Sequence, residues 1–271
     1  MPVERKKLEL KNIHLTFNKG TVNEKKALQG VDLTLKDGDF VTVIGGNGAG
    51  KSTMLNVISG VFPADEGAIV LDGQDITRLR EYKRSAYVSR VFQDPLLGTA
   101  ANMNIEENLA LAARRGKRRG LKWGMKKGEA EEYRELLKGL ELGLETRTGQ
   151  KVGTLSGGQR QALTLLMASL SNPRLLLLDE HTAALDPKTA KKVLTLTDEI
   201  IKRDKLTAIM ITHNMNDAIT HGNRLVMMNA GKIIFDVEGE EKKKLTIGDL
   251  LEKFETITGE EMASDKLILS K

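Results

Sequence analysis

The segment Phe40 to Ile44, FVTVI, runs without a break into GGNGAGKS, Gly45 to Ser52. So apolar a stretch reads as a strand buried on both faces. KSTMLNVISG, from Lys51, then reads as a short helix stopped at Gly60. Strand, glycine loop and helix in immediate succession admit few architectures. The loop matches the G-x-x-x-x-G-K-[ST] pattern in the context that the pattern needs. Its glycines let successive backbone N–H groups turn inward, and the helix behind presents its positive end, so the unit suits a run of phosphates. Gly45, Gly46, Asn47, Gly48, Ala49 and Gly50 form the cradle. Lys51 can reach the β- and γ-phosphates as a mobile point charge, and the Ser52 hydroxyl can ligate Mg²⁺. Thr53 adds a contact to the α-phosphate. The plain alternative is a glycine turn before a helix with no ligand, and the placement between strand and helix argues against it.

The flanking sequence extends this unit into an α/β chain. Leu8 and Leu10, then Ile13, Leu15 and Phe17, then Val31, Leu33 and Leu35 alternate as strands do. GAIVLDGQDI reads as a hairpin turning on Asp72 and Gly73. From about Asp94 to Thr154 the pattern becomes helical: Asn104 can cap a helix whose third residue is Glu107, and EAEEYRELLKGLELG is amphipathic. Strand and helix alternate again afterwards, with Leu175 to Leu178, a helix from Pro187, TAIMIT, and a closing hairpin in RLVMMNAGKIIF. Apolar strands separated by helices predict a mainly parallel sheet covered on both faces, with a helical insertion. The tail from Asp236 is charged and holds one helix, IGDLLEKFETI.

Four leucines then end on two acids, LLLLDEHTAALDP, Leu175 to Pro187. The leucines suit a central parallel strand, and ligands bind at the carboxyl ends of such strands. Adjacent residues of an extended segment point oppositely, so Asp179 and Glu180 must do different work. Asp179 is assigned to Mg²⁺ and Glu180 to the base that takes a proton from the attacking water. LSGGQ, Leu155 to Gln159, opens another helix. Ser156 as cap and Gln159 at the third position make a capping box. That box does not explain Gly157 and Gly158, which weaken a first turn. A bared helix end of this kind is a second anion site.

Together these segments resemble the ATP-binding-cassette (ABC) family of P-loop ATPases. GGNGAGKS resembles its Walker A motif, LSGGQ its signature, LLLLDE its Walker B motif, Gln93 in VFQDP its Q-loop, AALD its D-loop and His213 in ITHN its switch histidine. The resemblance covers about residues 6 to 235, in order. It implies an ATPase core with an N-terminal antiparallel β subdomain over 1–93 and 159–235, a helical subdomain over 94–158 and a tail over 236–271. It also implies a head-to-tail homodimer that holds two MgATP, each between one subunit's phosphate loop and the other's Ser156, Gly157, Gly158 and Gln159. Gln93 would contact Mg²⁺ or water, His213 the γ-phosphate, and Asp186 the interface, although Asp186 before Pro187 is a good helix cap regardless. Phe17 is placed like the residue on which adenine stacks, and its alternation with Ile13 and Leu15 equally allows a core position. The family gives His181 no catalytic part. DEHTAALDP resembles a branch of bacterial importer ATPases, and an aromatic amino acid is one candidate substrate.

The chain has no cysteine, which excludes disulfides, thiolate metal sites and cysteine nucleophiles. The opening MPVERKK is charged, so no secretory signal is expected. No run approaches the roughly 18 apolar residues of a spanning helix. Transport would therefore need separate permease subunits and, indirectly, a secreted or lipid-anchored binding protein, with this chain peripheral on the cytoplasmic face of the membrane. The net charge of +5 is uneven: Arg114 to Lys127 carries eight basic residues in fourteen. That stretch reads as a solvated loop, a contact with anionic lipid or permease, or, with Trp123, a nucleic-acid site. The rival function is a soluble ABC ATPase acting on nucleic acid or regulating a membrane complex. Two cassettes in one chain, long coiled coils and zinc cysteines, the usual companions of nucleic-acid members, are missing from the sequence, and no nucleic-acid partner is expected.

Overall fold

The computed structural model describes residues 5–117, 124 and 128–259. Most of the basic stretch, Trp123 included, lies outside the described residues. The chain divides into two compact units, Met1–Arg84 with Leu206–Lys271, and Ser85–Lys205.

In the first unit β1 (Lys6–Phe17) and β2 (Lys25–Lys36) pair antiparallel. The sequence steps by three from Leu10 to Ile13, where strict alternation would step by two. A register shift between these residues absorbs the extra one, with Asn12 at φ 48, so Leu8, Leu10, Ile13 and Leu15 are all buried. β3 (Phe40–Ile44) is buried at every position, as an apolar run with no polar face requires. It leads through the glycine loop to α1 (Lys51–Ser59), which ends at Gly60 with φ 86. β4 (Glu66–Leu71) and β5 (Gln74–Asp75) complete a sheet of order β2-β1-β4-β5. Their two-residue turn has Asp72 and Gly73 at φ 56 and 79, matching the right-handed twist of a hairpin. α2 (Glu81–Arg84) closes the segment on a buried arginine.

The second unit opens with β6 (Val88–Val91). α3 (Ile105–Ala113) carries the expected capping box of Asn104 and Glu107. α4 (Glu129–Lys138) stops short of the amphipathic stretch read from the sequence, which ran to Gly143. Glu141 and Gly143 stand at φ 53 and 68 just beyond it, a backbone that no helix continues through. α5 (Gly157–Ser169), β7 (Leu175–Asp179) and α6 (Pro187–Asp204) follow. β7 lies parallel to β6, with Leu178 opposite Val91.

The chain then returns to the first unit. β8 (Ala208–Ile211) and β9 (Arg224–Asn229) flank β3, both parallel to it, with α7 (Met215–Thr220) between them in sequence. β10 (Lys232–Glu238) runs antiparallel at the edge and includes Asp236, where the charged tail begins in the sequence. The tail holds two helices where one was read, α8 (Gly239–Lys243) and α9 (Ile247–Thr258). Leu250 and Phe254 of α9 pack with Ile44, Met215, Leu225 and Met227, so the tail covers the end of the strand that feeds the glycine loop.

Candidate functional site

The phosphate loop leaves β3 through three glycines in left-handed or related conformations, Gly45, Gly48 and Gly50 at φ 148, 81 and 100. Gly45 has no substitute, because a Cβ there would stand 2.1 Å from the Met228 carbonyl oxygen. Gly50 precedes α1 and offers no side-chain cap, and the first turn of α1 holds no acid, so the helix meets an anion with its own N–H groups. Lys51 is buried, and its Nζ donates to the carbonyls of Gly45 and Gly46 at 2.5 and 3.1 Å. Its charge is therefore held across the loop. Ser52 is exposed and Thr53 half-buried at the same helix end.

Two further members of the predicted set lie in this unit. His213 follows β8, and Val43 of β3 pairs with Ile211 of the parallel β8, so the segments after both strands leave the sheet at one edge. Phe17 ends β1 half-buried, its ring edge-to-face with Phe62 at 5.2 Å. It is not among the buried residues that Ile13 and Leu15 join. Lys25, opposite Phe17, was not read from the sequence as a site residue; a Cβ on Gly48 would lie 3.7 Å from its ammonium.

The second unit gathers the acids. Asp179 ends β7 and accepts from Arg90 of β6 at 2.5 Å, both side chains 13% exposed. The Arg90 guanidinium also lies 4.8 Å from the centroid of the Phe92 ring. A charged residue inside the apolar strand VSRV was a signal in the sequence, since an arginine in such a place needs an acid. Glu180 follows with φ 47, so the chain bends directly after the strand and is no longer extended there. Gln93 stands two residues beyond the end of β6, exposed, and the Phe92 carbonyl just before it accepts from Gln161 of α5 at 3.2 Å. Gln161 is fully buried and ties α5 to the segment that bears Gln93.

At the start of α5 the capping box is present: Ser156 accepts from the Gln159 N–H, and Gln159 Oε1 from the Ser156 N–H. Ser156 and Gly157 are exposed and Gly158 is buried. The two glycines had no structural explanation in the sequence alone, and the structure supplies one for Gly158. A Cβ there would stand 2.1 Å from Thr189 Cγ2 of α6, so close helix packing demands glycine with or without a ligand. We expect Gly158→Ala to destabilise by about 1–3 kcal/mol through overpacking. Adding Thr189→Ser, which keeps the hydroxyl and drops the methyl, should recover most of that loss in urea unfolding. Asp186 caps α6 through the Thr189 N–H at 3.1 Å, with Pro187 at the first helical position. The Thr189 hydroxyl and N–H hold its carboxyl below the usual aspartate range. His181 is buried and bonds Thr197 of α6.

Among the described residues no group of three or more His, Asp or Glu side chains forms a metal cage. Ser52 in the first unit, and Gln93 and Asp179 in the second, each carry an oxygen donor, the ligand type that Mg²⁺ takes.

Comparison with known proteins agrees with this chemistry. The family model described as ABC transporter matches residues 28–183. A tyrosine transport ATP-binding protein of Clostridioides difficile (strain R20291) is 46% identical over 92% of this chain and 98% of its own length. A spermidine/putrescine import ATP-binding protein of Haemophilus ducreyi is 35% identical over 84% of this chain, which spans 57% of that relative. Among solved structures, an ATP-binding cassette of an ABC transporter in its ADP conformation superposes with a TM-score of 0.76 at 30% identity, covering 92% of this chain and 98% of that one. A dimeric post-hydrolysis cassette bound to ADP and Pi gives 0.72 at 32% identity, covering 85% and 98%. The chain belongs to the ABC transporter family. It has the fold of that family's cassette and is an ATP-binding ATPase.

Proposed function

We propose that the chain is the ATPase subunit of a bacterial importer, working as a head-to-tail homodimer on the cytoplasmic face of the membrane beneath separate permease subunits. One observation carries the ATPase part: Lys51 is drawn over the glycine loop at the uncapped, acid-free start of α1, the arrangement that a triphosphate requires. Supporting the importer part is the match along nearly its whole length to a tyrosine transport ATP-binding protein. Tyrosine or a related amino acid is the cargo this reading favours, chosen by a secreted or lipid-anchored binding protein and the permease. Among the described residues no helix is long and apolar enough to cross a membrane; in this reading the permease subunits supply the solute path.

The residue roles follow the chemistry of the donors. Bound Mg²⁺, held by Ser52, Asp179 and Gln93, would neutralise phosphate charge. Glu180 takes the proton of the attacking water; the water oxygen bonds to the γ-phosphorus, the bond to the β,γ-bridging oxygen breaks, and ADP leaves with that electron pair. His213 contacts the γ-phosphate, Phe17 stacks on adenine, and the start of α5 at Ser156 and Gly157 serves the nucleotide of the opposite subunit. The helical segment 94–158 is the arm that carries this signature, and the groove by Gln93 receives a permease helix.

Lys51→Met should weaken binding of a fluorescent ATP analogue by about 10²-fold, the loss of a desolvated charge-assisted contact. Titrating the wild type with duplex DNA and with RNA at rising salt separates the importer from the nucleic-acid reading. Weak binding is expected, and tight binding with a steep salt slope would overturn the importer assignment.

A further inference from the structure

His181 is the one ionisable side chain of DEHTAALDP without a part in the proposed mechanism or in capping α6, and the structure buries it to 2% exposure. Glu180, directly before it, stands at φ 47, a region unfavourable for any residue with a Cβ. Such a conformation persists only where both flanks hold it. On one flank β7 is buried at all five positions. On the other, His181 Nε2 lies 3.1 Å from Thr197 Oγ1, sixteen residues on in α6. The Thr197 hydroxyl also lies 2.8 Å from the Val193 carbonyl one turn earlier, and its single hydrogen goes there. Its oxygen therefore accepts from the histidine, which places the proton on Nε2.

Between these anchors the chain makes two tight turns, the Ala183 N–H donating to Glu180 and the Leu185 N–H to Thr182, before Asp186 caps α6. The segment Glu180 to Asp186 is thus fastened to α6 twice, at Thr197 by His181 and at Thr189 by Asp186. We propose that His181 is a positioning residue for hydrolysis: its ring is the strut that keeps Glu180 in its left-handed turn and so aims the carboxylate. It touches neither nucleotide nor water. The proposal rests on Glu180 being the base.

Phenylalanine at 181 keeps a ring and removes the donor. Valine at 197 keeps the shape and removes the acceptor. Steady-state kinetics of H181F and T197V should each show kcat lowered by about ten- to a hundredfold, the scale of a small misplacement of a catalytic group. KM and the affinity for a fluorescent ATP analogue should stay unchanged. T197S, which retains the hydroxyl, should restore wild-type kcat. Adding H181F to an E180Q chain should cost nothing more, because the strut would then aim no base. Wild-type kcat per folded molecule in H181F or T197V, whatever the melting temperature, would overturn the proposal and leave a purely structural histidine. An additional loss in the E180Q background, or a parallel loss of nucleotide affinity, would do the same. Failure of the underlying reading looks different: E180Q alone would then turn over ATP like the wild type.

Discussion

Glu180→Gln is expected to cut steady-state ATP turnover by about 10² to 10⁴ while leaving nucleotide affinity intact. Glutamine keeps the size and the left-handed turn of residue 180 but cannot accept a proton. The phosphate cradle lies on other elements, with Lys51 held by Gly45 and Gly46. Single-turnover measurement with excess protein isolates the chemical step, and the loss should appear there rather than in product release. The same variant should accumulate ATP-bound dimer on size exclusion. Near-wild-type turnover would remove Glu180 as the base.

Arg84→Met is expected to destabilise the chain by about 3–5 kcal/mol, because it strips donors from several buried carbonyls at once. The guanidinium, 1% exposed, donates to the carbonyls of Val57 and Ile58 at 2.7 and 2.9 Å and to those of Thr77 and Leu79 at 2.8 Å each. Two of these acceptors belong to the last turn of α1, so a cation sits at the negative end of the helix whose positive end carries the glycine loop. Burial lowers the Arg84 pKa and Asp75 opposes that shift, yet arginine remains charged. Urea unfolding should show a lower midpoint at unchanged slope. Arg84→Lys should recover only part of the loss, since one ammonium cannot serve acceptors that a planar fork reaches together.

The legible parts of this molecule are those in which neighbours in sequence are also neighbours in action. The glycine loop, the turn at Asp72 and Gly73, the capping boxes at Asn104 and Ser156, and the all-apolar β7 follow from local rules of backbone geometry. The overlooked residues act across long stretches of sequence. Arg90 carries no local signal of its partner, Asp179, which lies 89 residues away. Gln161, in the helix that the signature opens, reaches the Phe92 carbonyl 69 residues back. The tail offered charge and one helix, and the apolar face of that helix, Leu250 and Phe254, finds its partners only where β3 ends.

By itself, the sequence determined the class of fold, the phosphate loop, the order of the motifs and the likeness to the ABC family, because each rests on residues whose spacing is their geometry. Only the tertiary structure decided that Gly158 answers to Thr189, that Asp179 is held by Arg90, and that His181 is buried against Thr197. Each of those depends on contact between side chains far apart in the chain, and contact at that range is set by packing and leaves no period to read.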